Sequence, residues 1–103
     1  MRHVFHPEAA AEFEEAVRFY RERGNKLAAR FAATVRAAIR QIIETPERWG
    51  FLEEDVRRCF VRVFPYRVLY TVEPDFVLIL AIAHDKRAPG YWKHRLTSKP
   101  SAG

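Results

Sequence analysis

The sequence predicts an α+β domain of order β-α-α-β-β-β, with a helical hairpin packed on one face of a small, mainly antiparallel sheet. Three observations carry that prediction. Two amphipathic helical patterns stand back to back ahead of Pro46, with only a glycine-centred link between them. Three apolar, β-rich runs then follow from Arg57 to Ala83. The third run, FVLILAIA, has no polar residue on either side, which places it inside the sheet with both faces covered.

In chain order, Arg2 to Phe5 is short and apolar enough for one strand. The stretch HPEAAAEFEEAVRFYRERGN reads as the first helix: Pro7 suits a first helical position, and Glu8 and Glu12 favour the positive end of the dipole. Ala10, Phe13, Val17 and Tyr20 form its apolar stripe, and Gly24 ends it. Glu12, Glu14 and Glu15 read as a solvated face. A second helix runs from about Lys26 to Glu44 with Leu27, Phe31, Val35, Ala38 and Ile42 on its buried side, and Thr45-Pro46 stops it. So short a link makes the pair an antiparallel hairpin.

Residues 44 to 56 are expected to be a loop, with Trp49 and Phe51 plugging the edge of the core. Alternation in the next strand, about Arg57 to Phe64, puts Cys59, Val61 and Val63 on one face and Arg58, Phe60, Arg62 and Phe64 on the other. YRVLYTV continues after a tight reversal at Pro65, and Glu73-Pro74-Asp75 turns the chain into the third strand. With the helices on one sheet face, the other is expected to be half apolar and cationic, carrying Arg58, Arg62 and Arg67 beside Phe60 and Leu69. A short helix is expected after Pro89.

The chain of 103 residues is one domain, expected over 1–96 with a disordered tail over 97–103. Its charge is uneven. Met1 to Asp55 holds nine Lys/Arg against ten Asp/Glu, whereas Val56 to Gly103 holds nine against three, net +6. Attraction to a polyanion or an acidic protein segment therefore acts through the C-terminal half. There is no membrane-length apolar run and no apolar signal region at the N-terminus. The single Cys59 suits a reducing compartment and a buried, inert thiol, so a cytoplasmic protein is expected.

Several chemistries drop out. There is no glycine-rich phosphate loop, no G-x-S-x-G and no C-x-x-C. His3, His6, His84 and His94 lack the spacing of a zinc pair, so neither metal nor cofactor is expected. Arg, His and Tyr remain, and these can act on RNA, which carries its own nucleophile in the 2′-hydroxyl. Such a site needs cations on the phosphoryl oxygens, one proton acceptor and one donor. The candidates are Arg67 as a cation, His84 as a proton-transfer group, and Tyr91 as a donor or stacking platform. Arg58, Arg62, Lys86 and Trp92 are candidates for phosphate or partner binding. A plainer reading stands beside this one: Arg67 pairs with an acid, and Tyr91 and Trp92 seal the end of the sheet.

FHPEAAAEFEEAVRFY, FPYRVLY and LAIAHDKRAPGYW together resemble the RelE/ParE superfamily of bacterial type II toxin–antitoxin toxins, over nearly the whole chain to about Arg95. The resemblance implies a helical hairpin backing an antiparallel sheet, and a cognate antitoxin that wraps the toxin in a hetero-oligomer. It also implies one of two targets. ParE-like members poison DNA gyrase, and the style of FPYRVLY and RAPGYW points there first. RelE-like members are metal-independent endoribonucleases that cleave mRNA on the ribosome. In that alternative Arg67 matches the middle-strand arginine, Arg87 the basic residue after the last strand, and Tyr91 lies near the C-terminal tyrosine, at a shorter spacing. Only Arg58 and Arg62 stand where cleaving members carry lysines. An attenuated, non-catalytic binding module is the third reading.

Overall fold

The computed structural model describes residues 1–101. Strand β1 (Arg2–Phe5) leads into helix α1 (Pro7–Arg21), whose start is fixed by His6: its Nδ1 accepts the Glu8 N–H at 3.0 Å, and Pro7 sits where no donor is needed. The link to α2 (Asn25–Glu44) turns at Gly24, with φ 153° and ψ 136°, a conformation that is costly for any residue with a Cβ. Gly24 therefore starts α2 as much as it ends α1: its N–H donates to the carbonyls of Tyr20 and Arg21, and its carbonyl accepts from Ala28.

The strands β2 (Phe51–Glu53), β3 (Val56–Phe60), β4 (Tyr66–Val72) and β5 (Phe76–His84) complete the chain with a 3-10 turn at Lys93–Thr97. The sheet order is β1-β5-β4-β3-β2, with β1 parallel to β5 and every other pair antiparallel. This is the expected α+β architecture, with β5 inside the sheet between β1 and β4, as its apolar run requires. No helix among the described residues is long and apolar enough to cross a membrane.

The helical hairpin covers one sheet face. Phe31, Val35 and Ile42 of α2 and Ala9 and Ala16 of α1 meet Cys59, Val68, Tyr70, Val77 and Ile79 there. The Tyr70 hydroxyl reaches through this core to donate to the Pro46 carbonyl at 2.6 Å, tying the exit of α2 to β4. Burial pushes the Cys59 thiol up to about 11, so it carries no thiolate near neutrality.

Four expectations are corrected. First, the loop over 44 to 56 contains β2. Arg57 Nη1 holds the carbonyls of Trp49 (2.6 Å) and Glu47 (3.2 Å), which draws Phe51–Glu53 alongside β3. Three residues carry no periodic signal that sequence could show. Phe51 there is mostly exposed, its ring under the Arg57 guanidinium at 3.8 Å, while Trp49 packs on the core.

Second, β3 ends at Phe60. Val63 takes φ 63° in the following turn, which for a β-branched residue is a genuine outlier costing about 1–2 kcal/mol. The alternation is broken there: Val63 is 81% exposed, and Phe64 swings under the hairpin against Phe31 and Tyr20. Third, Leu69, expected beside the arginines on the cationic face, is fully buried there. Trp92 and Leu96 of the C-terminal segment cover Leu69, Leu78 and Leu80. Fourth, Glu12 is not solvated, as described below.

The segment expected as a tail from 97 begins inside the 3-10 turn, and two of its side chains are engaged. Ser98 Oγ lies 3.1 Å from His6 Nε2, and Lys99 pairs with Glu73 at 3.1 Å. The last two residues of that expected tail, 102 and 103, lie outside the described residues.

Candidate functional site

One end of the sheet gathers most of the predicted site. Arg67, second in β4, lies on the face opposite the helices, paired across to Phe60 on β3 and Ala83 on β5. Its Nε lies 3.8 Å from Asp85 Oδ1, too far for a hydrogen bond, and is buried without a hydrogen-bond partner. Arg87 lies over the Tyr91 ring at 4.0 Å. Arg67, Arg87, Tyr91 and Trp92 line a cavity of about 250 Å³ with Asp85 and Glu53. Two arginines in one cavity can hold an anion, so this much of the predicted set is brought together.

His84 is not part of it. It points to the helix side, edge-on to Tyr66 at 5.0 Å, and lines a separate cavity of about 240 Å³ with Glu15, Phe19 and Arg87. Its Nδ1 accepts the Lys86 N–H at 3.0 Å. Arg58 lies on the Arg67 face with its guanidinium 5.5 Å from the Phe60 ring, while Arg62 and Lys86 are exposed in the two turns at this end. Trp92 is 3% exposed and packs in the second core, where it also forms part of the wall of the cavity that Arg67 lines.

The residue that sequence reasoning misses is Glu12. Strand β1 covers β5 only as far as Ile79, so the β5 backbone beyond it lacks a neighbouring strand on that side. Side chains fill the place. Glu12 Oε1 accepts the Ile82 N–H at 3.0 Å, and Arg95 Nη1 donates to the Leu80 carbonyl at 3.1 Å. The two side chains are themselves joined by a two-pronged ion pair at 2.7 and 3.0 Å, and Tyr91 donates its hydroxyl to Glu12 Oε2 at 2.6 Å.

Burial, reinforced by that hydrogen bond to a carboxylate, raises the Tyr91 pKa far above its ordinary value. Burial works against the Arg95 charge, but the bonds to Glu12 outweigh it and the net shift is upward. A signal for Glu12 was present in the helix: it stands at i+3 from Ala9 and i−4 from Ala16, the two fully packed alanines of α1. Further contacts fasten the same segment, from Lys93 to Glu53 and from His94 to Glu8.

The family description "ParE toxin of type II toxin-antitoxin system, parDE" matches residues 4–89. The chain belongs to the ParE toxin family. It is thus a toxin of a type II toxin–antitoxin system, within the RelE/ParE superfamily, and a cognate antitoxin is its partner. Among solved structures, a chain described as "Chromosomal ParDE TA system from P. aeruginosa" is similar, with a TM-score of 0.73 at 18% identity, covering 82% of this chain and 95% of that one. At that identity the likeness bears on the fold alone. No curated protein sequence matches. The ParE match ends one residue before Gly90, so Tyr91 and Arg95, which lock onto Glu12, stand outside it.

Proposed function

We propose that this ParE-family toxin arrests growth by poisoning DNA gyrase in the cytoplasm and is neutralised in a hetero-oligomer with its antitoxin. The observation that carries the choice of target is the engagement of Tyr91. Cleavage of RNA through its 2′-hydroxyl needs a proton donor and a proton acceptor within reach of the cations. The Tyr91 hydroxyl is instead given to Glu12, and its pKa is raised. His84, the other proton-transfer candidate, lies across the sheet from Arg67. Arg67 and Arg87 share their cavity with the carboxylates Asp85 and Glu53, and its one tyrosine is already engaged with Glu12, which suits binding better than cleavage.

The test is induction of the toxin without its antitoxin, with gyrase-cleavage complexes and mRNA 5′ ends assayed on the same culture. Trapped DNA–gyrase complexes with intact mRNA are expected. Codon-phased mRNA cuts without trapped gyrase would replace this reading with the ribosome-dependent nuclease and make Arg67 and Arg87 catalytic candidates. Unimpaired growth would leave only a non-catalytic binding module.

A further inference from the structure

We propose that the turn between β3 and β4 is a contact for double-stranded DNA, with Phe60 and Val63 as apolar probes set among Arg58, Arg62, Arg67, Lys86 and Arg87. This deepens the gyrase reading, since a poisoned cleavage complex holds DNA as well as protein, and it rests on that reading only for its consequence in the cell.

Two independent observations converge on the turn. The first is strain without repayment. Val63 adopts φ 63°, a left-handed conformation that a β-branched side chain disfavours, yet it is 81% exposed and gains no packing. The turn is nevertheless held firmly from beneath. Val61 N–H donates to the Tyr66 carbonyl at 3.0 Å, Asp85 N–H donates to the Pro65 carbonyl at 2.9 Å, and Phe64 is packed on Phe31. A strained residue that the surroundings impose but do not use is the kind found at ligand contacts.

The second is charge. From Val56 to Tyr70 the chain has no acidic residue, and from Ala83 to Gly90 it has only Asp85. The bond from the Asp85 N–H to the Pro65 carbonyl joins the turn carrying Arg62 to the one carrying Lys86 and Arg87, and Arg87 lines one cavity with Arg67 and its partner Asp85. Phe60, 59% exposed, lies directly across from Arg67 on the same face. Neither Arg62 nor Lys86 has a side-chain ion-pair partner among the described residues.

The form of the surface favours DNA over an acidic peptide. Peptide partners are recognised in a concave groove or along an unpaired strand. The turn is instead an exposed loop joining two antiparallel strands, with Arg62, Val63 and Pro65 all exposed. The major groove of B-DNA is about 12 Å wide and admits a two-stranded ribbon, whose flanking cations meet phosphates. Apolar side chains among arginines can then press on base edges or steps.

The experiment is fluorescence anisotropy of a labelled duplex of about 30 base pairs, long enough for several helical turns, with purified toxin across a salt series. Log K is expected to fall linearly with log salt, and Arg62→Ala should reduce the slope by about one unit. Val63→Gly is the decisive variant, because glycine accepts the positive φ freely. It should melt no lower than the wild type while binding the duplex about tenfold more weakly, the order of one lost apolar contact, a combination that a merely structural role does not produce. Absence of salt-dependent duplex binding by the wild type would overturn the proposal. So would unchanged binding by both variants, or loss confined to antitoxin binding. A toxin that binds DNA through this turn but traps no gyrase would remove the gyrase reading and leave the contact standing.

Discussion

Replacing Glu12 tests whether one buried carboxylate holds the C-terminal segment on the sheet. Its side chain is 13% exposed, and it accepts from Ile82 N–H, the Tyr91 hydroxyl and both Arg95 terminal nitrogens. Glu12→Ala strands the Arg95 guanidinium, whose side chain is 4% exposed, with the Leu80 carbonyl, a weaker Glu8 contact at 3.7 Å and the Tyr91 ring at 5.1 Å. Removing one partner of a buried pair costs about 3–5 kcal/mol, and the surviving contacts argue for the lower end. For a domain of this size, a loss of about 3 kcal/mol lowers the melting temperature by on the order of 15 °C. Urea denaturation of Glu12→Ala, Arg95→Met and the double variant measures it. The double variant should lie closer to wild type than the sum of the two single losses, because the uncompensated charge is gone. A Glu12→Ala loss below about 0.5 kcal/mol, the range of an ordinary surface substitution, would refute the reasoning.

Tyr91→Phe removes only the hydroxyl that donates to Glu12, so it should cost about 1.5–3 kcal/mol of stability while leaving gyrase poisoning intact at temperatures where the variant is folded. Loss of activity in the folded variant would return Tyr91 to the working site. Stability should also respond to His6, whose pKa is lowered by burial and by Arg95 and His94, against the opposing pull of Glu8 and the Ser98 bond. The folded form therefore binds its proton later than the unfolded chain. Stability from this group is present above the ordinary histidine pKa and is lost as pH falls through the depressed value. Denaturant midpoints taken from pH 7.5 to 5 should fall in the wild type and fall less in His6→Gln; parallel curves would remove His6 as the cause.

The helices and central strands were legible because their signals are periodic and redundant. Phe31, Val35, Ala38 and Ile42 repeat at helical spacing, and all four are buried where that spacing puts them. What was not legible depends on single contacts. Nothing in FLE announces β2; Arg57 reaching the Trp49 carbonyl does that work from eight residues away. The exposed Val63 turn contradicts a strand alternation that runs unbroken on paper to Phe64. Glu12 reads as one acid among several, because its partners stand 70 to 83 residues away in the chain.

The separation of His84 from Arg67 has the same character, and one residue causes it. At the start of β5, Val77 and Ile79 face the helices while Leu78 and Leu80 face the other way. The register against β4 then jumps, from Tyr70↔Ile79 to Leu69↔Ala81, leaving Leu80 as an extra residue. Leu80 and Ala81 consequently lie on the same side, and the parity of the strand reverses beyond them. In a regular strand His84 would share the face of Leu78 and Leu80, which is the face of Arg67. The bulge sends it to the helix side and brings Ala83 opposite Arg67 instead. Because FVLILAIA is apolar at every position, either parity buries it equally well, so the run carries no sign of the reversal. The same bulge places the Leu80 carbonyl and Ile82 N–H where Arg95 and Glu12 take them. A single inserted residue thus divides the candidate proton-transfer groups between two faces and creates the dock for the segment that engages Tyr91.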